Sequence, residues 1–177
     1  MSGEKKLVIF CSASSGIAPE FNEAAAEFVR VACAKGYTIV SGGTVKGTMG
    51  VVSGAVESCG GKHVGILPRF MEEYTFPRLT TLVWTDTMSE RKEKMREGTS
   101  VAVALPGGIG TLDELVETLT LAKLGKYSGR IYAQNTGRFY DKLIELLYYY
   151  VSTGMLDSGS RELISFPSTV GELEAMI

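Results

Sequence analysis

Short apolar, β-rich runs alternate along this chain with longer segments of helical period, and that alternation restricts the fold more than any other feature. Residues 7–11, 37–41, 63–67, 80–84, 100–105 and 130–133 predict strands. Several are continuously apolar, as strands covered on both faces must be. The segments 18–34, 47–59, 88–97, 111–124 and 139–151 predict helices, with a closing helix over 170–177. Gly36, Gly60, Gly98 and Gly125 follow four of these helices as stop signals. Repeated β-α-β units with short connections require a parallel sheet with helices on both sides. The expected fold is therefore α/β, a Rossmann-like doubly wound sheet in a single domain over residues 1–177.

This architecture says where chemistry can sit. Open parallel sheets bind ligands beyond the carboxyl ends of their strands, where the strand order reverses. The loops to read are therefore 12–16, 42–50, 68–77, 86–91 and 106–111.

Composition narrows the partners. A net charge of −2 and no long basic run give no electrostatic case for a nucleic-acid polymer. The apolar run after Met1-Ser2-Gly3-Glu4-Lys5-Lys6 is too short for a signal or membrane segment, so no membrane partner is expected. Cys11, Cys33 and Cys59 lack CxxC spacing and are expected to be buried free thiols in a reducing, cytoplasmic compartment. One histidine and scattered cysteines offer no metal-ligand spacing, so no metal is expected. His63 follows Lys62 at a strand start and is expected at the surface or a sheet edge.

The 21 glycines are clustered, and one cluster is the sharpest local signal. Pro106-Gly107-Gly108-Ile109-Gly110-Thr111-Leu112-Asp113-Glu114 joins a strand directly to a helix. Its glycines allow a tight turn with bare amides, and the helix N-terminus adds unpaired N–H groups and the positive dipole end. That predicts a phosphate site. Thr111 with Glu114 also fits a capping box, which would explain both residues without any function. A cap, however, needs no proline and three glycines before it. The loop Ser41-Gly42-Gly43-Thr44-Val45-Lys46-Gly47 leaves another strand similarly. Neither loop is a dinucleotide fingerprint, and two such turns suit a mononucleotide. Between them, Met88-Ser89-Glu90-Arg91-Lys92-Glu93-Lys94-Met95 reads as an amphipathic helix. Arg91 and Lys92 stand at its start, the wrong end for cations unless an anion sits nearby.

Together, Met88…Arg91-Lys92…Met95 and the Pro106–Glu114 motif resemble the Lonely-Guy (LOG) family of cytokinin riboside 5′-monophosphate phosphoribohydrolases. Its members are often labelled possible lysine decarboxylases. The resemblance runs from Phe10-Cys11-Ser12-Ala13-Ser14-Ser15-Gly16 to about Gly154. It implies a Rossmann-like homodimer that cleaves AMP-type nucleotides to free base and ribose 5-phosphate without a cofactor. It implies catalytic roles at Arg91 and Glu114. It also implies substrate or phosphate contacts at Lys92, Gly107, Gly108, Ile109, Gly110 and Thr111, and further ones at Ser14, Gly43, Met88, Thr120 and Glu73. The chain departs from the family at Thr44 and Thr48, where a glycine and a leucine are usual, and over residues 70–86.

Cleaving an N-glycoside passes through an oxocarbenium-like state, which needs negative charge near the sugar and an activated water or a carboxylate nucleophile. Glu114 supplies the carboxylate. Asp113 points about 100° away and is no partner for it. Lysine decarboxylation would need a Schiff-base lysine in an apolar loop-end setting, and none is presented. The competing reading is a non-catalytic nucleotide carrier or sensor on the same phosphate loop. The apolar-aromatic run Leu146-Leu147-Tyr148-Tyr149-Tyr150-Val151 exceeds what one helix face can bury and adds to the case for a homodimer.

Overall fold

A computed structural model describes residues 4–177. The strands are β1 (Lys6–Phe10), β2 (Thr38–Ser41), β3 (His63–Pro68), β4 (Thr81–Thr85), β5 (Val101–Ala104), β6 (Arg130–Ala133) and β7 (Ile164–Ser165). The helices are α1 (Pro19–Ala34), α2 (Gly47–Ser58), α3 (Met88–Arg96), α4 (Ile109–Lys123), α5 (Asp141–Ser152), α6 (Ser158–Arg161) and α7 (Val170–Met176). All strands pair in parallel, in the order β4-β3-β2-β1-β5-β6-β7. The chain winds outward from β1 to β4, then returns to place β5 on the other side of β1. The strand order therefore reverses between β1 and β5.

Side-chain alternation along the strands builds two apolar layers. Leu7, Ile9, Ile39 and Val103 face α1, α2 and α7, meeting Phe28, Val52 and Leu173. Val8, Phe10, Val40 and Ala102 face the other way, meeting Met95 of α3, Leu115 of α4 and Leu147 of α5. Every residue of β5 is buried, which explains why its sequence, Val-Ala-Val-Ala, is apolar throughout. Gly36, Gly60, Gly98 and Gly125 end α1 to α4 as expected, each at positive φ.

Some expectations need correction. A 3-10 turn over Arg69–Tyr74 and the two-residue strand β7 were not foreseen. His63 is only 2 % exposed. It lies on β3, which has neighbours on both sides, and its Nε2 meets Ser41 Oγ at 2.7 Å. All three cysteines are free, yet only Cys11 is buried; Cys33 is intermediate and Cys59 exposed at the end of α2. Of the run 146–151, Leu147 alone is buried.

Candidate functional site

The loops after β1 and β5 open a cavity of about 320 Å³ at the reversal point, where a doubly wound sheet binds its ligands. Cys11, Ser12, Ala13 and Ser14 form one wall, and Gly108, Ile109, Gly110 and Thr111 another. Gly42 closes it from the β2 side. Met49, Met71, Met88 and Met95 give it an apolar, deformable lining.

Two ionisable side chains meet on its floor. Arg91 Nη1 donates to Glu114 Oε1 at 2.9 Å, with the two side chains 7 % and 9 % exposed. Arg91 Nε also donates to the Ile66 carbonyl at 3.0 Å, which fixes the guanidinium plane. No protein donor reaches Glu114 Oε2 among the described residues. Burial raises the Glu114 carboxyl above its ordinary range, and the Arg91 charge and hydrogen bond offset this only in part. Burial, and then the negative charge of Glu114, push the Cys11 thiol far up, so it stands neutral in the wall. Burying an ion pair gives little net stability, because desolvation offsets the Coulomb gain. A pair like this in a cavity marks a functional site more readily than a structural one.

The capping-box reading of Thr111 and Glu114 does not hold. Helix α4 starts at Ile109 with Gly108 as N-cap, so Thr111 already lies inside the helix. No side chain caps it and no acidic residue stands in its first turn, unlike α3, where Thr87 Oγ1 accepts from the Glu90 amide at 3.1 Å. The first amides of α4 are therefore left bare at the cavity, the arrangement that binds anions at helix N-termini.

The expected site residues divide. Arg91, Glu114, Gly108, Ile109, Gly110, Thr111, Ser14 and Met88 converge on the cavity. Gly107 and Gly43 do not line it: Gly107 packs against Thr111 and Gly43 against Gly65. Lys92 turns away, to Asp113 at 2.9 Å and Glu117 at 2.8 Å, because consecutive helical residues point about 100° apart. Thr120 is exposed and bonds the Val116 carbonyl on its own helix. Glu73 is exposed on the 3-10 turn, which sends Met71 into the cavity instead. The lining residues that the sequence reading missed include Cys11, Gly42, Met49 and Met71. Cys11 ends the first strand run and so was open to inference; Met71, on an unforeseen turn, was not. A larger groove, about 750 Å³, runs beside α3 past Glu93, Glu97 and Tyr127, but it lies off the strand ends and lacks a buried ion pair facing bare amides.

Fold and site define a doubly wound α/β protein with an Arg–Glu pair set beside an uncapped helix N-terminus. Comparisons with known proteins identify its family. The sequence model of a family described as "Possible lysine decarboxylase" matches residues 49–176. The chain is 32% identical over 163 residues to the cytokinin riboside 5′-monophosphate phosphoribohydrolase LOG2 of Arabidopsis thaliana, covering 90% of this chain and 76% of that one. It is 33% identical to the phosphoribohydrolase LOG of Oryza sativa subsp. japonica, over 96% of this chain and 71% of that one. Among solved structures, the molybdenum cofactor binding protein of Rippkaea orientalis shares the fold, with a TM-score of 0.76 at 17% identity over 99% of this chain and 96% of that one. The chain belongs to the LOG family.

Proposed function

We propose that the chain hydrolyses the N-glycosidic bond of AMP-type 5′-monophosphates, including N6-substituted ones, in the manner of cytokinin-activating phosphoribohydrolases. The buried Arg91–Glu114 pair facing the bare first turn of α4 carries this reading. In this account the amides of Ile109, Gly110 and Thr111 hold the phosphate. Glu114 presents negative charge to the ribose as the C1′–N bond lengthens, and either attacks C1′ or takes a proton from water. Water supplies hydroxide to the sugar and its proton leaves with the base, giving ribose 5-phosphate. The methionine lining suits adenine and an apolar substituent on it. Arg91 holds the carboxylate in place. No step requires a metal or cofactor.

The solved neighbours include carriers, so the competing reading is a nucleotide carrier or sensor on this fold. A carrier needs bare amides but has no use for a desolvated carboxylate beside them, which favours catalysis. The decisive variant is Glu114→Gln, which still accepts a hydrogen bond from Arg91 but carries no charge. Base release from AMP should fall at least about a hundredfold while nucleotide binding survives. Adenosine, lacking the phosphate, should be a poor substrate for the native protein, and lysine should yield no CO₂. A folded Glu114→Gln protein turning AMP over at the native rate would overturn the proposal.

The same proposal takes the working unit as a cytoplasmic homodimer. The exposed Ile109 and Val116 of α4, with Leu124 just after it, support the dimer, and the three unpaired thiols support the compartment. A one-chain mass by light scattering would remove the dimer.

A further inference from the structure

Arg91 and Glu114 reach each other from opposite halves of the sheet. Helix α3 packs on β3 and β4, whereas α4 packs on β5 and β1. Their meeting therefore spans the reversal point, and something must hold the helices in register across it. Outside the cavity, the carboxylate of Glu117 takes the largest part in this. Glu117 Oε2 sits 2.8 Å from Lys92 Nζ. The Arg96 guanidinium closes on the same group in fork fashion, Nη1 to Oε2 at 3.3 Å and Nη2 to Oε1 at 3.2 Å. Lys92 adds a second tie to Asp113 at 2.9 Å. These are not loose surface pairs: the Lys92 and Arg96 side chains are 14 % and 8 % exposed, and Glu117 is one-third exposed. Burial would raise the Glu117 carboxyl, but hydrogen bonds from Lys92 and Arg96 hold it below its ordinary value. Lys92 is raised in turn, first by its hydrogen bond to Asp113 and then by that to Glu117.

We propose that Glu117 is a positioning residue, strapping α3 to α4 through Lys92 and Arg96 so that Arg91 is held on Glu114. Each helix carries adjacent side chains to both faces of the contact: Arg91 and Lys92 on one, Glu114 and Asp113 on the other. The inner rung does the chemistry and the outer rungs set its spacing. What the inner pair does rests on the function proposed above; what holds it together does not. A bidentate guanidinium–carboxylate fork fixes direction as well as distance, which a single contact would not.

The test compares Glu117→Gln with the native protein and with Lys94→Gln, which breaks only the exposed Lys94–Glu97 pair on α3. The first measurement needs no substrate: the Glu114 carboxyl titration, followed by carbon-13 NMR. The charged and titratable groups facing Glu114 are Arg91 and Lys92 from α3, Cys11 from the loop after β1 and Asp113 from its own helix. If the strap fails, Arg91 loosens and the Glu114 midpoint should rise by about one unit, as a carboxylate does on losing a close cation. The second measurement is AMP turnover. Here kcat should fall about tenfold with KM within about threefold, because the phosphate amides belong to α4 alone. Lys94→Gln should change neither quantity. Should Glu117→Gln fail to fold, Arg96→Gln cuts the guanidinium fork to the same carboxylate, removes no charge that faces Glu114, and is held to the same outcomes. An unchanged kcat in a folded variant overturns the proposal. If the native protein releases no base from AMP, the proposed reaction is wrong, and the Glu114 midpoint alone then decides whether the strap exists.

Discussion

The two glycine loops look alike in sequence but are built for different purposes. In the loop after β2, glycine is demanded by neighbours already present. A methyl on Gly42 would overlap the Arg91 guanidinium and stand 2.7 Å from Met49 Sδ. Gly43 has φ +63° with the Gly65 Cα 2.7 Å from where its Cβ would be. In the loop after β5, Gly107 is similarly crowded by Thr111, but Gly108 and Gly110 have nothing within 4 Å of an added Cβ. Gly108 has φ −85°, which any residue adopts. Neither folding nor packing requires these two glycines. What they provide is open backbone at a helix N-terminus that lines the cavity. Absence of a packing reason is thus informative: it separates a loop packed against the buried Arg91 from one whose glycines stay open at the cavity edge.

That contrast can be broken by paired substitutions. Gly42→Ala should have the largest effect, because its methyl displaces the guanidinium that Ile66 and Glu114 hold. Base release should fall by about a hundredfold, the scale set by misplacing one catalytic group. The stability loss should be smaller, because both crowding atoms belong to flexible side chains. Gly110→Ala should do the reverse. An alanine inside a helix is favoured over glycine by about 0.5–1 kcal/mol, so the melting temperature should rise. KM for AMP should rise about tenfold as the methyl intrudes on the phosphate position. If Gly110→Ala leaves KM unchanged, the open glycines are not a ligand surface. Native activity in Gly42→Ala would remove the need for a fixed Arg91.

Most of the fold was legible because burial on two faces leaves a plain mark: uninterrupted apolar runs spaced by helical ones. The parts that escaped lacked that mark. Strand β7 has only two residues, and the Arg69–Tyr74 turn buries none of its side chains. The site was legible as a motif but not as geometry, and the pattern Thr-x-x-Glu shows why. It occurs three times, at Thr87, Thr111 and Thr169. At Thr87 and Thr169 it caps a helix, with Glu90 and Glu172 each reaching back to the amide just before the capping threonine, on Asp86 and Ser168. At Thr111 the glycines let the helix begin three residues earlier, with Gly108 as its N-cap, so the same pattern falls inside it and frees Glu114 for Arg91. Local sequence cannot tell these cases apart, because the decision lies in where the preceding turn ends. Lys92 was misassigned for a related reason: helical phase sends it away from Arg91, but its partners Asp113 and Glu117 are on another helix.

The smallest expected effect concerns the foundation of the first loop. Ser41 Oγ accepts from the Gly43 amide at 3.1 Å and meets His63 Nε2, so the histidine anchors the glycine turn from below. Burial lowers the His63 pKa to about 4 from an ordinary 6.5. Its folded value is thus below its unfolded one, so the unfolded chain takes up the proton first as pH falls. Stability from this group is complete above pH 6.5 and is lost progressively from there down to about 4. A shift of that size is worth at most about 3 kcal/mol. Glu114 acts in the opposite direction, since its raised carboxyl binds a proton more readily when folded. The lowered carboxylates of Glu117 and Asp141 lose their contribution only below their unfolded values of 4.5 and 3.8. The native curve alone is therefore a mixture, and the difference from His63→Gln isolates the histidine. Glutamine can still bond Ser41 but does not titrate, so denaturation curves of the two proteins should diverge between pH 6.5 and 4, the native protein losing more. Parallel curves through that window would mean that the loop rests on packing against Gly65 and Met49 rather than on a neutral histidine.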